Sequence, residues 1–267
     1  MSGPLFSVVT VVRNDRAGLA RTRASLLAQR GGDFEWIVVD GASADGTVDD
    51  LRADPAPSLR WTSEPDVGIY DAMNKGTRRA AGRYVVYLNA GDELATGEAL
   101  ARVAAVIDGA PAEPDVVFAG AVLVLPNGVE LRWRPLPLGY VRHGLPANHQ
   151  ATYYRRASIP AAPYDPSYRI CGDYEIIARL SLRDPRVAAL DEVVVRFHTG
   201  GVSTARPVQL WRECLRIQRE VLGMPLPARA WSAARRAFNM TAVRALSRPP
   251  MAPVARALLA CRDALWR

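Results

Sequence analysis

The chain has 267 residues, 49% of them hydrophobic and 23% charged, a balance that supports a sizeable buried core and excludes a chain disordered by composition. Its net charge of +7 is carried by one segment: residues 205–267 hold twelve arginines, no lysine and three acids, a net +9, which leaves −2 for the rest. No run reaches the roughly 18 apolar residues of a membrane-spanning helix, the first residues lack the basic and apolar regions of a secretory leader, and Cys171, Cys214 and Cys261 are spaced as neither a disulfide framework nor a metal pair. A reduced, cytoplasmic setting is expected.

Phe6–Val12 is a continuous apolar run rich in β-branched residues, the pattern of a strand buried on both faces. A helix with Leu19, Leu26 and Leu27 on one side follows and stops near Gly31-Gly32. A second buried strand is expected over Phe34–Val39, closed by Asp40-Gly41. Ser43 or Asp45 can cap a helix over Thr47–Leu51, and Leu59–Thr62 reads as a short strand. Asp71–Ala81 reads as helix, Tyr84–Leu88 as strand. This alternation predicts an α/β fold with a mostly parallel, doubly wound central sheet flanked by helices. Farther on, Val116–Leu125 and Val129–Trp133 form a hairpin about Pro126-Asn127-Gly128. A proline-bearing loop leads to Asn148–Tyr154, then a helix after Gly172 and a strand over Val187–Phe197. From Val208 the chain reads as a helical extension broken by Pro225, Pro227 and Pro249-Pro250.

In open α/β sheets, ligands bind beyond the carboxyl ends of the strands. Three such ends carry polar residues: Arg13-Asn14, the stretch from Asp40 through Ser43 and Asp45 to Gly46, and Asn89-Ala90-Gly91-Asp92. Asp40 suits a base or ribose, and the glycines permit close backbone approach. A strand-ending Asp-Gly taken alone is a common turn; three on one edge make a site. No GxGxxG follows the first strand, which counts against a dinucleotide fold.

The segments FSVVTVVRN, DFEWIVVDGASADGT, SEPDVGIYDAMNKGTRRAAGRYVVYLNAGDEL, NHQATYYRR, YRICGDYEIIARL and FHTGGVST, in this order, resemble a bacterial family 2 glycosyltransferase of the colanic-acid, exopolysaccharide or glycolipid type. The likeness covers residues 5 to 204. It implies a GT-A fold over residues 1–204, with a nucleotide-sugar half (1–95) and an acceptor half (96–204); the basic amphipathic helical tail (205–267) lies outside the likeness. It further implies a UDP- or GDP-linked donor, a divalent cation (Mg²⁺ or Mn²⁺), and inverting hexosyl transfer to a glycan or lipid-linked acceptor in cell-envelope polysaccharide synthesis. Carried over by position, Val11, Arg13 and Asn14 line the base, Asp40 contacts the nucleoside, and Ser43 and Asp45 stand near the nucleotide. Asp66, Tyr70, Asp71, Asn74 and Lys75 shape the donor pocket, with Asn89 and Ala90 beside it. Lys75 is the sole lysine of the chain and is either a partner for phosphate or sugar or a surface lysine.

Asp173 matches the family's general base, a carboxylate that takes the acceptor hydroxyl proton; the alternative is a helix N-cap. His149 and Gln150 either face the acceptor or pack at the start of a strand. His198 reaches the diphosphate or metal, or is structural. The family's metal motif, Asp-x-Asp, falls here on Asn89 and Gly91, with Asp92 next. A hard cation on a diphosphate needs few protein ligands, since phosphate oxygens and waters complete its shell. Asp92 is therefore the expected metal contact, with Asn89 or a water beside it, and Lys75 or an arginine shares the charge.

The tail mixes arginine with Trp211, Trp231, Phe238 and Trp266. This composition suits a membrane interface, and so a peripheral position on the inner face of the cell membrane. Packing on the domain or an oligomer contact are the alternatives; nothing in the tail resembles a nucleic-acid reading motif. Two rival functions remain, a degenerate protein that binds nucleotide sugar without turnover and a nucleotidyltransferase.

Overall fold

The computed structural model describes residues 3–199 and 206–246. Four strands, β1 (Phe6–Val12), β2 (Phe34–Asp40), β3 (Leu59–Ser63) and β4 (Tyr84–Tyr87), lie parallel in the order β3-β2-β1-β4. They are linked by α1 (Arg16–Leu27), α2 (Thr47–Ala53) and α3 (Ile69–Arg79). Because side chains alternate along a strand, β1 feeds two cores. Val9 and Val11 face one core with Ile37, Val39 and Met73 of α3, while Phe6 and Val8 face the other with Trp36 and Leu19 and Leu26 of α1. Coverage on both faces explains why these strands read as unbroken apolar runs.

Beyond β4 the sheet becomes mixed. The remaining elements are β5 (Glu93–Leu94), α4 (Ala99–Asp108), β6 (Val116–Val124), β7 (Glu130–Trp133), β8 (Thr152–Arg155), α5 (Gly172–Ser181) and β9 (Val187–His198). β8 runs antiparallel to both β4 and β6, whereas β9 is parallel to β6 and antiparallel to β5. The expected hairpin is present, with β7 against the outer half of β6. At Gly120 the register of β6 on β9 shifts, and a Cβ there would stand 2.7 Å from the Glu192 carbonyl.

Several boundaries differ from expectation for local reasons. Leu27 is 49% exposed; the buried stripe of α1 is Leu19, Thr22 and Leu26, the i, i+3, i+7 spacing of one helix face. α2 begins after Gly46 (φ 93°), so neither Ser43 nor Asp45 is the N-cap, though Asp45 Oδ1 accepts the Thr47 N–H at 3.1 Å. α3 starts two residues early, after Gly68 (φ 138°), which places Asp71 in its first turn.

Two further helices, α6 (Pro207–Glu220) and α7 (Leu226–Leu246), pack on the sheet domain. Cys214 and Ile217 of α6 join the core that holds Tyr174 and Ile177 of α5. From α7, the Ser232 hydroxyl accepts from Gln218 at 2.7 Å and Arg236 donates to the His143 carbonyl at 2.9 Å. Trp231 and Phe238 remain exposed. Trp266, Cys261 and Pro249-Pro250 lie outside the described residues, as do Gly200 to Thr204. Among the described residues no helix is long and apolar enough to cross a membrane.

Candidate active site

Adjacent parallel strands deliver the three polar ends to one edge. The Asn14 N–H donates to Ser43 Oγ at 2.7 Å, Asn14 Oδ1 accepts from the Ala44 N–H at 2.9 Å, and the Arg16 N–H donates to Asp45 Oδ2 at 2.9 Å. Val11 contributes backbone: its side chain is in the core and its carbonyl accepts from the Ala90 N–H at 3.2 Å. Asp40, the last residue of β2, is fully buried. Its Oδ2 accepts from the Ser43 N–H at 3.0 Å and Ser63 Oγ at 2.6 Å, whereas Oδ1 has no protein partner. Gly41 lets its neighbours close in: a Cβ there would lie 2.3 Å from Asp66 Oδ2 and 3.3 Å from Arg13 Cβ. Asn14 (φ 50°) and Ala42 (φ 58°) both adopt the left-handed region. Asparagine tolerates it and alanine does not, so this edge stores strain.

The loop before α3 forms the next wall. Lys75 is not a free surface lysine. Its side chain is 14% exposed, and Nζ donates to the Pro65 carbonyl at 2.7 Å and lies 3.3 Å from both Glu64 and Asp71. It thus holds the 64–71 turn together. Asn74 pairs twice with the Tyr164 backbone, at 2.8 and 2.9 Å. The Tyr70 ring stacks on Tyr164 with centroids 5.1 Å apart, and its hydroxyl donates to the Ile170 carbonyl at 2.6 Å. Gly172 is needed under that ring, since a Cβ there would meet it at 2.8 Å.

Asp173 follows at once, half-buried in the first turn of α5. The N-cap is Cys171, without a side-chain capping bond, so Asp173 does not serve as the cap. Its Oδ1 accepts its neighbour's N–H (Tyr174, 2.8 Å). Burial pushes its carboxyl from the ordinary 3.8 up to about 6, with Glu213's negative charge adding to the rise and backbone N–H groups opposing it. A carboxylate with that affinity is a suitable proton acceptor near neutral pH.

The Asn89–Asp92 turn is pinned from α1. The Thr22 hydroxyl donates to the Asp92 carbonyl at 2.7 Å and accepts from the Gly91 N–H at 3.1 Å. Gly91 has φ 94° and turns Asp92 inward, where it is 5% exposed. Its Oδ2 accepts from Gln150 Nε2 at 3.0 Å and its Oδ1 from the His198 N–H at 3.1 Å. Burial raises this carboxyl to about 7 despite those bonds and Arg21's charge. The His198 ring bonds Glu93 at 2.8 Å and not Asp92. His149 packs in the core, stacked on Tyr87 at 5.3 Å, and burial lowers it to about 4, so it is neutral. Of the open alternatives for His149 the geometry describes packing; Gln150 acts on Asp92.

Among the described residues no three His, Cys, Asp or Glu side chains gather as a metal cluster. The turn nevertheless fits a cation that is held chiefly by a ligand's own oxygens. Asn89 Oδ1 is buried with no partner, and Asp92 beside it is a carboxyl held near neutrality by burial.

Sequence reading overlooked Glu213, Arg169 and Tyr164, each of which grips the site from far along the chain. Glu213 left one signal: it is one of only three acids in an arginine-rich segment of 63 residues. The Cys171 and Cys214 sulfurs, 43 positions apart, lie 3.3 Å from each other as free thiols.

Comparison with known proteins agrees with this architecture. The profile of "Glycosyl transferase family 2" matches residues 7–160. A PGL/p-HBAD biosynthesis glycosyltransferase of Mycobacterium bovis is 33% identical over 211 residues, 76% of this chain and 80% of that protein. A putative teichuronic acid biosynthesis glycosyltransferase of Bacillus subtilis, TuaG, is 37% identical over 34% of this chain and 37% of its own. Among solved structures, Staphylococcus aureus TarS 1–349 with UDP superposes with TM-score 0.63 at 19% identity, over 80% of this chain. This chain spans 64% of that one, just under two thirds. The Pyrobaculum calidifontis mannosyltransferase PcManGT with GDP-Man and Mn²⁺ gives TM-score 0.64 at 18% identity, over 98% of this chain and 80% of its own. These neighbours share the GT-A fold.

Proposed function

The chain belongs to glycosyl transferase family 2, and from that premise we propose that it moves a hexosyl group, with inversion, from a nucleoside-diphosphate sugar to a glycan or lipid-linked acceptor hydroxyl. The observation that carries this reading is the junction of donor edge and base: Tyr70, in the first turn of α3 beside the loop that walls the nucleotide edge, bonds the Ile170 carbonyl three residues before Asp173. In this reading the Asp40 Oδ1 lacking a partner accepts from the nucleoside, and Arg13, Asn14, Ser43 and Asp66 surround it. Asp173 takes the acceptor proton as the hydroxyl oxygen attacks the anomeric carbon and the diphosphate departs from the opposite face.

A divalent cation, when bound, neutralises charge on the departing diphosphate. Asn89 and Asp92 are the residues that would hold it, through the buried Asn89 Oδ1 with no partner and the Asp92 carboxylate. PcManGT was solved with GDP-Man and Mn²⁺ and TarS with UDP, which supports a nucleotide-sugar donor here without choosing the base. The PGL/p-HBAD and teichuronic acid names of the relatives support a role in cell-envelope glycans or glycolipids. Exposed Trp231 and Phe238, seven residues apart on one stripe of α7, support a peripheral contact with lipid at the cytoplasmic face.

A thermal-shift screen of UDP, GDP and dTDP with their sugars, with and without Mg²⁺ or Mn²⁺, tests the donor. One nucleoside diphosphate is expected to stabilise the native state. No stabilisation by any of them counts against the reading.

A further inference from the structure

Glu213, at the middle of α6, is 8% exposed, and both carboxylate oxygens are spent on the segment before α5. Oε1 accepts from the Arg169 N–H at 3.0 Å and Gln209 Nε2 at 2.9 Å; Oε2 accepts from the Ile170 and Cys171 N–H groups, each at 2.9 Å. The N-terminus of a helix leaves N–H groups in need of acceptors, and an anion answers them best. Cys171, the N-cap of α5, makes no side-chain capping bond; its thiol points to the Leu210 carbonyl and Cys214. Glu213 therefore seats, from 42 residues away, the N-cap N–H and the two N–H groups that precede it, and so holds the chain's entry into α5.

The same segment is held on two other sides. Arg216, one turn on from Glu213, lies 4.5 Å over the Tyr168 ring and donates to Ser167 Oγ at 3.1 Å. The Arg169 guanidinium donates to the Val67 carbonyl, and Tyr70 to the Ile170 carbonyl. Residues 167–171 are thus clamped between α6 and the donor-side loop, two residues from Asp173.

We propose that Glu213 is a positioning residue for the transfer reaction: by seating three successive N–H groups it fixes where the first turn of α5 aims the Asp173 carboxylate. The segment beyond residue 205 then belongs to the active site. This rests on Asp173 acting as the base. Glu213 has a second effect through charge. Tyr70, Tyr154 and Tyr164, Cys171 and Cys214 also surround Asp173, and Arg236 stands beyond Cys214. Burial raises all three tyrosines, and the bond with Cys214 together with burial raises Cys171, so these stay neutral near pH 7, while the same bond lowers Cys214. Glu213 is the neighbouring carboxylate that adds to burial in raising Asp173.

The test titrates protein labelled with ¹³C at the aspartate carboxyls, with Asp173→Asn identifying the signal. Hydrolysis is measured in parallel for whichever of UDP-glucose, UDP-N-acetylglucosamine and GDP-mannose stabilises the protein most. Glu213→Gln is expected to move the Asp173 midpoint to lower pH. It is also expected to lower kcat by about tenfold to a hundredfold, as small misplacements of reacting groups do, with the donor KM little changed. Glu213→Asp keeps the charge but falls one methylene short; it is expected to lower kcat while leaving the midpoint near the wild-type value, and it decides the matter if Glu213→Gln does not fold. An unmoved midpoint in folded Glu213→Gln, or wild-type kcat in Glu213→Asp, overturns the proposal. Wild-type turnover in Asp173→Asn instead overturns the base reading, whatever Glu213 does.

Discussion

Asp92→Asn isolates what burial does to the carboxyl in the Asn89–Asp92 turn. The native carboxyl titrates at about 7 and the unfolded one near 3.8. Between these values the native state binds more protons than the unfolded state, so stability falls as pH rises through that window. At 1.36 kcal/mol per pH unit, the full loss above pH 7 is about 4 kcal/mol, as an order of magnitude. Asparagine at 92 carries no charge, can accept the His198 N–H through its oxygen, and lets the Gln150 amide turn over to complete the second bond. Urea unfolding of wild type and Asp92→Asn at pH 4 and pH 8 reads the effect, since the difference between the two proteins cancels His149 and Asp173. Near-equal stability at pH 4 and a more stable variant at pH 8 is the expected pattern. A variant that is destabilised by the same amount at both pH values refutes the burial argument. Repeating the pH 8 measurement with UDP or GDP and Mn²⁺ bears on the cation, whose added stabilisation should be lost in Asp92→Asn.

Other outcomes follow from single residues. His149, lowered to about 4 from 6.5, is depressed in the native state, so its contribution is lost as pH falls from 6.5 towards 4; His149→Phe should flatten that acid limb in a stability–pH curve. Gly91→Asp restores only the second acid of the family's Asp-x-Asp, with Asn89 still at the first, and φ 94° penalises any side chain there; a loss of about 1–2 kcal/mol in urea unfolding is expected, without tighter Mn²⁺ binding. Gly76→Ala should cost about 1–3 kcal/mol, since its Cβ would stand 2.4 Å from Val9 Cγ1. Trp231→Ser with Phe238→Ser should abolish co-sedimentation with phosphatidylglycerol vesicles while leaving the melting temperature near the wild-type value; unchanged sedimentation removes these residues from any membrane contact.

The parallel half of the sheet was legible because β1, β2 and β4 are buried on both faces and say so in unbroken apolar runs. Their adjacency also made the shared polar edge legible, down to Asp40 and Ser43. What escaped depends on contacts between distant segments. Nothing near Asp92 announces that Thr22 pins its turn or that Gln150 occupies its carboxylate. Lys75 looked available because its partners Glu64 and Pro65 meet it only when α3 folds back on the loop. Glu213 left only its rarity as an acid for the same reason: an acceptor supplied from another helix leaves no local pattern at residues 169–171, and a basic amphipathic segment reads first as a surface.

The central claim is tested most directly by transfer kinetics of Asp173→Asn, with binding of its nucleoside diphosphate followed by thermal shift. The account predicts an unchanged nucleotide-induced shift and a fall in kcat of about 10²-fold or more, the scale of one lost general base. Wild-type kcat in that variant contradicts it.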